Sequence, residues 1–413
     1  MKRLLAAIPL LLALAVSGCA GTAKEPVEPG TGMGTGTETG TASPAPPPAA
    51  PDPIQERLKS MSLDEKLGQL VIAGVNGTKL DPETRSLIEK DRVGGFILYK
   101  PNIESVEQTV SFLNELKQAN RNSPIPLLLS VDQEGGKVSR LPPPLAALPS
   151  SRDIARDGKP ERARSIGEAI GEELRAFGFN VNYAPVLDVD SNPNNPVIAS
   201  RSFGPSAAIV SSYGIELMKG LQHQKVIPVV KHFPGHGDTS VDSHLDLPVV
   251  DKTADQLRKL ELVPFADAVR AKADSVMIAH ILLPDLDPGV PSSMSSKIIT
   301  GLLREELGFD GVVMTDDMTM GAITKHYDLG QAAVQSFNAG SDILLVAHKY
   351  KNARLVLDAL KQAAVSGAIA AERIDRSVTR ILTLKQRYEL SDEAAGPVDT
   401  DKINAAIRQA VGK

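Results

Sequence analysis

Pro126-Leu-Leu-Leu-Ser-Val131 runs without a break into Asp132-Gln133-Glu134-Gly135-Gly136-Lys137-Val138-Ser139-Arg140. An apolar run this short, ending abruptly in charges and glycines, reads as a strand buried on both faces whose C-terminal end opens into a polar loop. The same arrangement recurs along the chain. Strand-like runs fall at residues 70–75, 94–99, 126–131, 181–189, 226–230, 275–279, 311–315 and 342–347. Stretches of helical period separate them, among them 103–119, 161–177, 207–222, 254–271 and 297–307, and a further helix is expected over 55–69. Strands alternating with amphipathic helices predict an α/β fold with a parallel sheet, and eight of them predict a closed (β/α)8 TIM barrel forming a single catalytic domain over residues 54–390. An open doubly wound sheet is the rival arrangement of the same elements. Residues 391–413 read as a polar C-terminal tail with one amphipathic helix.

Composition narrows the function classes. With 42% hydrophobic and 23% charged residues the chain is that of an ordinary globular protein, and a formal net charge of -5 with interspersed signs offers no basic stripe for nucleic acid. Nothing in the composition fixes an oligomeric state. The first residues are of another kind. Lys2 and Arg3 precede an apolar segment, residues 4–16, too short for a stable membrane span, and Val16-Ser17-Gly18 leads into Cys19, the only cysteine. Residues 1–18 therefore read as a signal peptide, and the junction resembles a bacterial lipobox. That resemblance implies lipidation of Cys19, an extracytoplasmic location and attachment to the cell membrane. Residues 19–53, rich in Gly, Thr, Pro and Ala, offer too few apolar side chains to offset ordering entropy and read as a disordered tether.

If the barrel forms, its strand ends converge on one face, where polar groups are candidates for chemistry. The third strand delivers Asp132 and Arg140; the fourth leads to Arg201; the fifth runs into Lys231, His232, His236 and then Asp242-Ser243-His244; the sixth ends at His280; the seventh ends at Asp316 and Asp317. Each has a plainer reading. Asp132 or Asp316 could cap the helix that follows, as Asp often does in βα loops, and Asp317 is better read as such a cap. Arg140 and Arg201 could be surface charges, and His280 a packed polar residue. His232, His236 and His244 could hold zinc together with Asp238 or Asp242, although no spacing presents clean ligands on one rigid element. Several such residues on one face favour chemistry.

Cleavage of a glycosidic bond needs a proton on the leaving oxygen and a nucleophile on the opposite face of the sugar. Asp316 suits the nucleophile, stabilising the oxocarbenium-like charge and then capturing it. His244 suits the acid, because imidazole titrates near neutrality and Asp242, two residues away, can orient it and stabilise its charged form. Asp132, Arg140, Arg201, Lys231 and His232 would clamp hydroxyls, and charges of both signs suit a polyol. No cofactor is called for. The absence of Trp means that sugar faces would have to stack on Tyr or Phe.

With these motifs in view, residues 54–390 resemble glycoside hydrolase family 3, specifically its β-N-acetylglucosaminidase branch. Val131-Asp-Gln-Glu-Gly-Gly, Ser200-Arg-Ser-Phe-Gly, Lys231-His-Phe-Pro-Gly-His-Gly-Asp-Thr with Asp242-Ser-His244, and Thr315-Asp-Asp stand in the family's order. The resemblance implies a barrel, no metal, a nucleophile at Asp316, an acid/base pair at His244 and Asp242, and substrate contacts at Asp132, Arg140, Arg201, Lys231 and His232. The implied substrate is a terminal β-linked N-acetylglucosamine, as in peptidoglycan fragments or chitooligosaccharides. Lys137 departs from the pattern, where Arg is common. A β-N-acetylglucosaminide phosphorylase and a catalytically silent sugar-binding lipoprotein are the competing readings. A β-glucosidase of the same family is disfavoured by the Asp-Ser-His loop.

Overall fold

Val, Ile, Leu and Phe fill the short runs, and a run with no polar face can be satisfied only by burial on both sides. In the computed structural model, which describes residues 52–412, each run becomes such a strand: β1 (Val71–Gly74), β2 (Gly95–Leu98), β3 (Leu128–Val131), β4 (Val181–Asn182), β5 (Ile227–Phe233), β6 (Ser275–Ile278), β7 (Val312–Thr315) and β8 (Leu344–Val346). The expected signal peptide, Cys19 and nearly all of the expected tether lie outside the described residues. The eight strands pair in parallel in the order β7-β6-β5-β4-β3-β2-β1-β8. Met314 lies opposite Ile343, so the two ends of the sheet meet and the barrel closes, as the alternation predicts.

Side chains complete the closing seam. Thr315 N donates to Ile343 O at 3.0 Å and Ile343 N to Val313 O at 3.0 Å, while Leu345 N donates to the Thr315 hydroxyl at 3.1 Å. Below them the Asp342 carboxylate, fully buried, accepts from Val313 N at 3.0 Å and from Arg304 at 2.6 Å. Its other oxygen accepts from Ser377, with Arg380 at 3.4 Å and Arg373 at 3.6 Å. One carboxylate thus ties the seam to two outer helices, Lys297–Glu306 and Ala371–Arg387.

Several boundaries differ from the sequence reading, each for a local reason. The helix expected over 55–69 is two, because Ser62 and Glu65 form a capping box that restarts the chain as Leu63–Gln69. The strand expected over 181–189 stops at Asn182: Pro185 has no N–H for the ladder, and the chain rejoins β5 only through Lys231 N to Pro185 O at 3.1 Å and Leu187 N to Lys231 O. The helix expected over 254–271 divides into Ala254–Lys259 and Leu262–Arg270, with Pro264 tolerated in the first turn of the second. Lys297–Glu306 is wound with i to i+5 bonds. The C-terminal segment is not a free tail. Its helix Thr400–Val411 buries Ile403 and Ile407 against Pro160–Phe177, and Asp392 accepts from Asn120 and from Leu127 N. Among the described residues no helix is long and apolar enough to cross a membrane.

Removing the Asp342 carboxylate would leave Arg304 and Arg373, whose side chains are only 12% and 13% exposed, without their counter-ion. Asp342→Ala is therefore expected to lower unfolding stability by about 3–5 kcal/mol, read by urea denaturation; a variant as stable as the parent would mean the seam does not depend on this carboxylate.

Candidate active site

The C-terminal ends of the strands surround one cavity of about 490 Å³. Asp132, Arg140, Arg201, Lys231, His232, His244 and Asp316, all named from the sequence, line it. Asp242 stands behind His244. The structure therefore gathers the predicted residues at one site, drawn from β3, β5, β7 and the loop after β4.

At the floor a cluster of charges is internally compensated. Lys231 Nζ lies 2.6 Å from Asp132 and 2.8 Å from Glu134. Arg201 donates two parallel bonds to the Glu134 carboxylate, at 2.9 and 2.7 Å. Burial alone would raise the Glu134 carboxyl, but Arg201 and Lys231 outweigh it and hold the group well below the usual carboxylate range. Two of the five N–H donors of Arg201, expected to clamp a ligand, are thus given to Glu134, which fixes the arginine's position before any ligand arrives while the guanidinium still lines the cavity. Arg140 is different. It makes no ion pair among the described residues, and its Nε is buried without a partner. Its loop is pinned by Gln133, which accepts from Arg140 N at 2.8 Å and donates to Glu173 at 3.1 Å.

A buried aspartate, Asp188, organises the histidines. It accepts from His232 Nδ1 at 2.6 Å, from His232 N at 3.2 Å and from His236 N at 2.7 Å. A carboxylate only accepts, so Nδ1 of His232 carries the proton and Nε2 is left to the cavity. His236 is pushed down to about 4 by burial and by the neighbouring His232, so it is neutral near pH 7, bonded to Thr239 and Ser243. His280 is buried between Ser293 and Asp317 O, and burial likewise lowers it. Asp316 accepts from Asp317 N at 2.8 Å. Burial would raise its carboxyl, but His232, His280, that N–H and Lys231 together keep it below the ordinary value, and so ionised.

The loop after β5 carries the remaining pair. Asp242 Oδ1 accepts from His244 N at 2.9 Å and from His244 Nδ1 at 2.7 Å, which leaves Nε2 as the free ring nitrogen. Burial would raise the Asp242 carboxyl, yet its bonds to His244 draw it below the usual range. Two glycines let this loop reach across the barrel. A Cβ on Gly237 would lie 1.7 Å from Val189 O, and one on Gly321 would lie 2.7 Å from His244 O, so neither position admits a side chain. Gly321 N donates to His244 O at 3.2 Å and Ala322 N to Ser243 O at 3.1 Å. The Asp242–His244 loop is thereby fastened to the segment that follows Asp316.

Asp317 is not the helix cap that the sequence suggested. It accepts from Thr319 N and Thr319 Oγ1, closing a turn, and from Ala347 N at the end of β8. Glu134, Asp188, Tyr99 and His348 were missed. A charged residue set between Leu187 and Val189 signals a buried carboxylate in need of donors, which would have found Asp188. Among the described residues no cluster of His, Cys, Asp or Glu could hold a metal ion, and His232, His236 and His244 spend ring nitrogens on Asp188, Thr239, Ser243 and Asp242.

Residues 62–384 match the glycosyl hydrolase family 3 N terminal domain. Beta-hexosaminidase A of Pseudoalteromonas piscicida is 36% identical over 356 residues, covering 80% of this chain and 60% of that protein. Beta-hexosaminidase LpqI of Mycobacterium tuberculosis is 35% identical over 333 residues, covering 79% of this chain and 83% of its own. A solved glycoside hydrolase family 3 beta-N-acetylglucosaminidase from a Paenibacillus species superposes with a TM-score of 0.81 at 43% identity, covering 85% of this chain and 68% of that one. The chain thus spans only 60% of the length of the Pseudoalteromonas relative.

Glu173, buried beneath the loop that Gln133 pins, has its carboxyl raised by burial from 4.5 to about 7 despite the bond from Gln133. The folded state therefore holds a proton that the unfolded chain releases, so its contribution to stability is complete below about pH 4.5 and is lost as pH rises through about 7. Glu173→Gln, which keeps the shape without the charge, should match the parent in urea denaturation near pH 4.5 and exceed it by on the order of 3 kcal/mol above pH 7. An offset that does not vary with pH would refute the assignment.

Proposed function

The chain belongs to glycosyl hydrolase family 3, and on that premise we propose that it is a retaining, exo-acting β-N-acetylglucosaminidase, releasing terminal N-acetylglucosamine from peptidoglycan fragments or chitooligosaccharides. Membership of the family and the hexosaminidase relatives support glycoside hydrolysis; the activity, the linkage, the sugar and the mechanism are together the proposal. One observation carries it. Asp316, held as a carboxylate, and His244, whose Nδ1 is taken by Asp242, line the same sugar-sized cavity, with the loop of one bonded to the segment after the other.

In the proposed reaction Asp316 attacks the anomeric carbon while protonated His244 gives the Nε2 proton to the departing oxygen, and Asp242 stabilises the imidazolium through Nδ1. The glycosidic bond breaks and a glycosyl-aspartate ester forms. Neutral His244 then takes a proton from water, which attacks the same carbon and frees Asp316. Asp132, Arg140, Arg201, Lys231 and His232 bind the hydroxyls of the sugar, Arg201 through the guanidinium N–H groups that Glu134 leaves free.

The location is proposed on the sequence alone: the charged, apolar and small-residue pattern ahead of Cys19 supports lipid anchoring to the cell membrane, outside the cytoplasm.

Digestion of chitobiose and purified peptidoglycan fragments with added phosphate should give free N-acetylglucosamine by mass, and Asp316→Ala should abolish turnover almost completely. Accumulation of the sugar 1-phosphate would instead identify a phosphorylase, and near-parental activity of the variant would reject the nucleophile. For His244→Ala the expected loss on chitobiose is about 10² to 10⁴-fold. It should be much smaller on a nitrophenyl glycoside, whose leaving group needs no proton; equal losses on the two would point to a structural role.

A further inference from the structure

We propose that His348, backed by Tyr99, forms the platform on which the first sugar of the leaving group stacks; this rests on the hexosaminidase reading above. His348 follows β8 and lines the mouth of the cavity, with 62% of its side chain exposed. Its ring lies on that of Tyr99 with centroids 5.4 Å apart and planes 16° from parallel. Tyr99 is in turn held from below. Its N–H donates to Asn102 Oδ1 at 2.9 Å, and Asn102 Nδ2 donates to the carbonyls of Val75 and Gly77. At the edge of the imidazole, Nε2 stands 3.7 Å from Asp317 Oδ2, and Asp317 is fixed by Thr319 and Ala347 N. One face of the imidazole is covered by Tyr99, one edge lies near Asp317, and most of the rest of the ring is exposed.

A flat ring offered in this way complements the C–H face of a pyranose, and this chain has no Trp to do the same. Of the other rings on the cavity wall, His232, His236 and Tyr183 are buried, and exposed His244 is engaged in proton transfer in the proposed mechanism. The buried charges Lys231 and Glu134 occupy the floor, where the sugar that is cleaved would sit. His348 stands outside that floor, yet touches the residue next to Asp316. Exposure at the mouth and nearness to Asp317 are the grounds for assigning the ring to the leaving-group side of the bond that breaks.

The test compares the parent, His348→Ala and His348→Phe on chitobiose and on N-acetyl-β-glucosaminyl fluoride, whose leaving atom is too small to reach the platform. The readout is the ratio of kcat/KM for the two substrates. His348→Ala should lower the ratio about tenfold, and His348→Phe, which keeps a flat ring without the imidazole, should bring it back to within about threefold of the parent. An unchanged ratio in His348→Ala overturns the proposal. So does a Phe variant no better than Ala, which would assign the effect to the contact with Asp317. Failure of the parent on both substrates would overturn the hexosaminidase reading and this inference with it, whereas a parent active on both with an unmoved ratio removes only the platform.

Discussion

A sheet of short parallel strands leaves an edge of unpaired N–H and C=O groups at each end, and closing the sheet removes both edges. In this chain closure at β7 and β8 is the step on which the rest depends. The ladder there is thin, one isolated bridge between Met314 and Ile343, and the Thr315 hydroxyl and Asp342 carboxylate supply bonds that backbone does not. Closure also brings the end of β7, with Asp316, round to the ends of β2 and β8. Without it Asp317 would meet neither Ala347 N nor His348.

Convergence creates a second problem, which the cavity floor solves. Lys231 and Glu134 are each almost wholly buried, and an unpaired charge there would be costly. The solution is a closed set, two cations against two carboxylates, in which Arg201 meets Glu134 and Lys231 bridges Glu134 to Asp132. Such a set is rigid because no member can move without stranding another. Asp316 stands outside it, yet close enough to Lys231 and His232 for its carboxylate to stay ionised against burial. Rigid charges around a free carboxylate are what a reaction that develops positive charge at carbon requires, since no reorganisation is then needed as the charge forms.

The strands were legible because a short run without a polar face has few ways to be buried, and the strand ends were legible because polarity begins where each run stops. What was not legible was partnership. Glu134 meets Arg201 across 67 residues and Asp188 meets His232 across 44, and no local spacing records either contact. For the same reason the sequence shows Arg201 only as a ligand clamp and not as the partner of Glu134 that it also is. His348-Lys349-Tyr350-Lys351 looks like a solvated charged turn in one dimension; only the barrel brings Tyr99 beneath it. Strand β4 was read too long because Val186, Leu187 and Val189 continue the apolar pattern, while Pro185 had already withdrawn an N–H from the ladder.

The site contains two aspartate–histidine pairs built alike, each with a carboxylate on Nδ1 and Nε2 left free, and their surroundings divide the work between them. Asp188 and His232 are buried, with side-chain exposures of 0% and 8%, and Asp188 is held by three bonds. Asp242 and His244 are exposed by 33% and 66%, on a loop anchored on either side of the pair. A group that delivers a proton in one half of a reaction and retrieves it from water in the other must reach solvent between the two. The buried pair cannot do so, and its fixed Nε2 suits a binding contact beside Asp316. The exposed pair can, and the same exposure leaves its histidine room to meet leaving groups of different shapes. In the proposed mechanism, access to water therefore assigns the roles of the two pairs, since the two imidazoles are bonded alike.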